Sequence, residues 1–190
     1  MRIRIRDISE VQVLAGAQAG ATMLGKVLEH LPALPRVNGA LFVDFEGIEV
    51  TTASFLREFV LPLKSIARSL RSTWYPVVAN PSPAVLEELD VITTARSEPI
   101  LTCKLDANEK VTDIKLAGRL DPKQLEAYEF VVRQGDVTAK QLMEATATSA
   151  EKGTSPTAWN NRLSVLVDKG LVAEASLGRQ KVYVPILREN

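Results

Sequence analysis

The chain has 190 residues, room for one large domain or two small ones, with the 46% hydrophobic and 24% charged content of a soluble globular protein. Lys and Arg total 23 and Asp and Glu 23, so there is no general basic excess for coating a polyanion, and nucleic-acid contact would need a local patch. The single cysteine, Cys103, excludes an intramolecular disulfide; with no leader-like apolar core in MRIRIRDISE and no run of about 18 apolar residues, a cytoplasmic protein that does not enter a membrane is expected.

Arg2 to Ile8 alternates arginine with isoleucine, which predicts a half-buried strand with its arginines on a solvated face or edge, where they could also meet an anion. Val11 to Leu31 reads as a helix containing a small-residue stretch, Gly16, Ala17, Ala19, Gly20 and Ala21. The Gly16 to Gly20 spacing admits a phosphate-loop reading, and with it a nucleotide-binding enzyme. No GKS, GKT or GxGxxG accompanies it, so close helix packing, or a helix start near Gly20, is preferred. Pro32 and Pro35 then break the chain.

Ala40 to Phe45 is an apolar run ending at an acid, as in a buried central strand. EGIEVTTAS makes a turn, and Thr51, Thr52 or Ser54 can cap the helix that follows, to about Leu70. Phe55, Leu56, Phe59, Val60, Leu63 and Ile66 give that helix its core face, and Pro62 is expected to kink or split it. Trp74 to Ala79 is a third strand, placed by Pro76 near its start or on an edge. Ser82 and Pro83 open a helix running to about Val91. Ile100 to Leu105 and Val111 to Leu116 flank a polar turn as a hairpin. Strands alternating with helices predict an α/β layer domain over residues 1–117.

Past Gly118 the pattern turns helical. Asp121 caps a helix from Pro122 to Gln134, whose core face is read as Leu125, Tyr128, Val131 and Val132. Asp136 or Thr138 starts a second helix that turns Leu142 and Met143 inward, and a polar stretch runs from Thr148 to Thr154. Ser155 and Pro156 start a third helix with a buried stripe of Trp159, Leu163, Leu166 and Val167, ended by Gly170. Val172 to Ala175 and Val182 to Pro185 read as two strands about the turn Ser176 to Arg179.

No residue set points to catalysis, a metal or a cofactor. His30 is the only histidine, so with one cysteine there is neither a usual zinc set nor a Ser/His/Asp triad with any other base. Cys103 lies in an apolar strand, where inert packing is expected, and Glu87 and Glu88 read as solvated.

Two resemblances organise these segments. VDFEGIEVTTASFLREF, Val43 to Phe59, resembles the STAS domains of sulphate transporters and anti-sigma-factor antagonists, and more closely their divergent STAS-like group. That likeness implies signal input or docking of a protein partner. It also marks Ser54, where those antagonists carry a phosphorylated serine, as a phospho-acceptor or a helix cap; Asp44 reads as a structural acid at the strand end. Thr52, Ala53, Ser54 and Phe55 stand where the antagonists usually have Asp-Ser-Ser-Gly.

Residues 118–190, above all LSVLVDKGLV with its following hairpin, resemble the winged helix-turn-helix regulators, an α+β fold. The resemblance implies a DNA-binding transcriptional regulator whose third helix enters the major groove of double-stranded DNA. It carries base-edge roles to Thr157, Asn160, Asn161, Arg162 and Ser164, and phosphate contacts to Lys169 and, at the wing, Arg179, Gln180 and Lys181. From Ser155 to Lys181 four basic residues face two acidic ones, a mildly positive segment. A homodimer would double the contacts. The alternative is a protein-interaction adaptor that uses both domains without binding DNA.

Overall fold

The computed structural model describes residues 1–31, 38–70, 72–146, 155–178 and 180–189. Pro32, Pro35 and the stretch from Thr148 to Thr154 therefore lie outside the described residues, as does Arg179. The chain is mixed α/β and forms two compact units, one built from Met1–Arg119 together with Glu189 and one from Leu120–Arg188.

In chain order the first unit contains β1 (Arg2–Arg4), α1 (Ile5–Ile8), β2 (Val13–Leu14), α2 (Ala17–Glu29), β3 (Gly39–Asp44), β4 (Val50–Thr51), α3 (Ala53–Ser69), β5 (Trp74–Ala79), α4 (Pro83–Arg96), β6 (Ile100–Leu105) and β7 (Val111–Ala117). The main sheet has the order β1-β3-β5-β6-β7, parallel throughout except for the antiparallel β6–β7 hairpin. Every residue of β5 is buried, which requires cover on both faces of this central strand. Phe45, Phe55 and Phe59 anchor the core, with Phe55 edge-on to Phe59 at 5.7 Å between ring centroids. Fully burying a side chain of that size contributes about 1.5–3 kcal/mol.

Several expectations change. The alternation at the N-terminus stays extended only for Arg2–Arg4; Ile5 then turns into the core as the first residue of the short helix α1. The segment expected as one helix from Val11 begins instead with β2, which pairs in parallel with β4, and α2 starts only after Gly16. Pro62 lies inside α3 and does not split it: one helix spans Ala53 to Ser69. Helix α4 extends beyond Val91 to Arg96 and closes on Ser97 in the left-handed region.

Pro76, the third residue of β5, stands near the start of a central strand and not on an edge. The Gly39 N–H donates to Thr73 O and the Phe45 N–H to Ala79 O, so the odd-numbered residues of β5 face β3. By alternation the Pro76 nitrogen faces the opposite side, where β6 joins only from Val78 onward. The missing N–H thus falls where no ladder partner waits.

Gly20 is where α2 meets α3. A Cβ there would lie 2.4 Å from Phe55 O, a backbone atom that cannot swing aside. Gly25, on the same helix, would meet nothing within 4 Å. Gly20→Ala is therefore expected to destabilise the unit by about 1–2 kcal/mol, overpacking outweighing the better helix propensity. Gly25→Ala should stabilise by about 0.5–1 kcal/mol. Urea titration of the two variants checks the pair, and equal midpoints would contradict the close approach.

The second unit contains α5 (Pro122–Gln134), α6 (Ala139–Ala145), α7 (Pro156–Asp168), β8 (Val172–Leu177) and β9 (Gln180–Pro185). Strands β8 and β9 form an antiparallel hairpin, two residues longer on each arm than expected. Val137, between α5 and α6, bridges to Tyr183 and adds a third extended segment to it. The Asp121 carboxylate caps α5, and Thr138 with Gln141 forms a reciprocal capping box at α6. Helix α7 packs against α5, α6 and β8. The core face of α5 is Ala127 and Val131; Leu125 and Val132, expected inside, are 39% and 46% exposed. Met143 and Val167 are half-buried.

Candidate nucleic-acid interface

Helix α7 forms because its start and stop signals are both local. Ser155 Oγ accepts from the Ala158 N–H at 3.2 Å, Pro156 occupies the first turn, and Gly170, at φ 66°, ends the helix with its N–H on Val167 O. Trp159, Leu163 and Leu166 are fully buried, which fixes the helix's rotation.

The residues expected to read bases then separate. Thr157 and Asn161 are exposed; Asn160 and Ser164 are half-buried. Tyr183 on β9 donates its hydroxyl to Asn160 Oδ1 at 3.2 Å. Arg162 does not project freely outward: its guanidinium lies 4.4 Å above the Trp159 ring, Nη1 is 3.9 Å from Glu126 Oε2, and the side chain is only 13% exposed. A long side chain three residues after an aromatic ring folds back on it because the two share a helix face. Asp168, one of the two acids counted in the Ser155 to Lys181 segment, is also exposed.

Of the residues expected to contact phosphate, Lys169 sits half-buried at the C-cap of α7. Gln180 and Lys181 are exposed at the start of β9. Lys181 Nζ donates to Glu174 on the neighbouring strand at 3.0 Å, and that partner raises its pKa. This hairpin cation is thus already paired, although an exposed pair of this kind is weak and can exchange for another anion. Leu177 at the hairpin end is 74% exposed.

In the first unit, Thr52 and not Ser54 caps α3: its Oγ1 accepts from the Phe55 N–H at 3.3 Å and from the Gly16 N–H at 3.1 Å. Ser54 is already the second helical residue, and its half-buried hydroxyl lies 3.0 Å from Thr52 Oγ1. Asp44 is fully buried at the end of β3. It accepts from Arg2 Nε at 2.8 Å, Asn80 Nδ2 at 2.9 Å and the Glu46 N–H at 3.0 Å. Asn80, at φ 50°, also accepts the Leu105 N–H, so this polar knot ties β1, β3, β5 and β6 at one end of the sheet. No signal in the sequence paired Arg2 or Asn80 with Asp44.

The Cys103 thiol is pushed up to about 12 by burial and then by the Asp44 charge, which leaves it unreactive near neutral pH. Among the described residues no group of three or more His, Cys, Asp or Glu is placed to hold a metal ion, and no helix is long and apolar enough to cross a membrane. Comparison of the chain with protein-family models, with curated proteins and with solved structures gave no match.

Proposed function

We propose that this chain is a cytoplasmic DNA-binding transcriptional regulator, in which Leu120–Arg188 acts as a winged helix-turn-helix module and the first unit, STAS-like, receives a signal or a protein partner. The observation that carries the reading is the division of α7 into a buried Trp159, Leu163 and Leu166 stripe and an outward Thr157 and Asn161. Polar side chains held out on a rigid helix suit the major groove, and a hairpin follows at the position of a wing. The local excess of two positive charges from Ser155 to Lys181 is small, so a monomer should bind moderately and with strong salt dependence, and a two-fold dimer would add to it.

The test is fluorescence anisotropy of the full chain with a pool of random-core duplexes at low ionic strength. Binding that weakens as salt rises is expected. A chain that leaves every duplex free under those conditions is not a DNA-binding protein.

One observation favours a second reading, that of a protein-interaction adaptor. Leu125 and Val132, two turns apart on α5, are both exposed, and the cation of Lys181 is satisfied within the unit. A partner retained by the wild type and lost by Leu125→Asp, from a chain that ignores duplex DNA, would favour the adaptor.

A further inference from the structure

The polar residues of α7 are not equivalent. Thr157 and Asn161 stand one turn apart on one face, and among the described residues neither side chain has a hydrogen-bond partner. The Asn160 oxygen is turned to Tyr183, a residue fully buried in the hairpin, and the Arg162 guanidinium is stacked on Trp159. Asp168 shares the outward face, but at seven residues and about 1.5 Å each it lies about 10 Å past Asn161, so the fully exposed neutral polar groups of α7 stand in its N-terminal half, away from that charge.

We propose that Asn161 selects adenine, that Thr157 selects a neighbouring thymine, and that Asn160 is a positioning residue held by Tyr183. This rests on the DNA-binding reading above. Adenine shows the major groove an acceptor, N7, beside a donor, the N6 amino group, and a free primary amide matches both at once. Asn161 has its whole amide edge available for that pair. Asn160 has its oxygen turned away, leaving chiefly N–H donors that suit a phosphate, which carries no sequence information. The Thr157 methyl suits the thymine C5-methyl. Four residues of helix span about 6 Å, and base pairs rise about 3.4 Å, so the two contacts fall one or two base pairs apart.

The experiment selects duplexes from a random-core pool with the full chain. It then compares the selected duplex with one carrying G·C in place of the enriched A·T pair. Enrichment of adenine and thymine within two base pairs is expected. Asn161→Ala should cut the discrimination between the two duplexes about tenfold or more, with Thr157→Ala giving a smaller loss at the neighbouring pair. Asn160→Ala and Tyr183→Phe should weaken both duplexes by the same factor and leave the ratio intact. Discrimination that survives Asn161→Ala, or is abolished by Asn160→Ala, overturns the assignment while leaving DNA binding in place. Absence of any duplex binding by the wild type overturns both. Unchanged melting of the Asn161 variant, exposed as that residue is, separates these outcomes from misfolding.

Discussion

Arg2→Ala is expected to cost the first unit about 3 kcal/mol, far more than an ordinary arginine on an edge strand. Asp44 has no exposed side-chain surface, and Arg2, itself only 9% exposed, meets its Oδ2 at 2.6 Å. Removing one member of such a pair strands the other charge away from water, and the cost of that desolvation dominates the loss. Glu46 and Glu109 also face Arg2, so the variant leaves two more carboxylates without their cation, though both are solvated and contribute little. The double variant Arg2→Ala with Asp44→Asn should recover most of the loss, because a neutral amide still accepts from the Glu46 N–H and has no charge to strand. Chemical denaturation of the single and double variants reads this directly. A single variant within about 0.5 kcal/mol of wild type would mean that the pair is screened by water and ties nothing together.

That knot also marks where the sequence stops being legible. Arg2 and Asp44 are 42 residues apart, Asn80 and Asp44 36 apart, and no local pattern joins them. Strands β2 and β4 are two residues each and exist only because each supplies the other's partner, so no run of apolar residues announces them. By contrast β3, β5 and the β6–β7 hairpin are continuous or alternating segments with turn residues at their ends, and they were readable. Helix α4 runs past its expected end to Arg96, and the buried Thr93 inside that added turn satisfies its hydroxyl by donating back to Leu89 O at 2.8 Å.

In the second unit the helices were readable from Asp121, Thr138, Ser155 and Gly170, all of which act within their own turn. The orientation of α5 was not. Its apolar residues surround much of the helix, and packing with α7 and β9 chose Ala127 and Val131 over Leu125 and Val132. For the candidate interface, the outward placement of Thr157 and Asn161 followed from their offset to Trp159 and Leu163. The inward fold of Arg162 did not, because a flexible side chain chooses among neighbours that only the folded helix brings together.

Trp159→Ala is expected to remove about 3–5 kcal/mol from the second unit, enough to unfold much of it at ordinary temperature. The indole is fully buried on α7, the helix that packs on α5, α6 and β8, and it also carries the Arg162 guanidinium. So small a unit has little reserve. Trp159→Phe keeps most of the packing and removes an indole N–H that has no hydrogen-bond partner among the described residues, so its cost should be far smaller. Amide hydrogen exchange on the full chain locates the damage: the alanine variant should lose protection across Leu120–Arg188 and keep it in Val43 to Ala79. Trp74, buried in the first unit, then serves as its fluorescence reporter. Because the rotation of α7 depends on this anchor, under the proposed DNA-binding function the alanine variant should lose duplex binding through unfolding, whereas Asn161→Ala should change discrimination with melting unaltered. Retained protection in α5 to α7 after Trp159→Ala would show that the leucines alone fix the helix, and the outward placement of Thr157 and Asn161 would then need another cause.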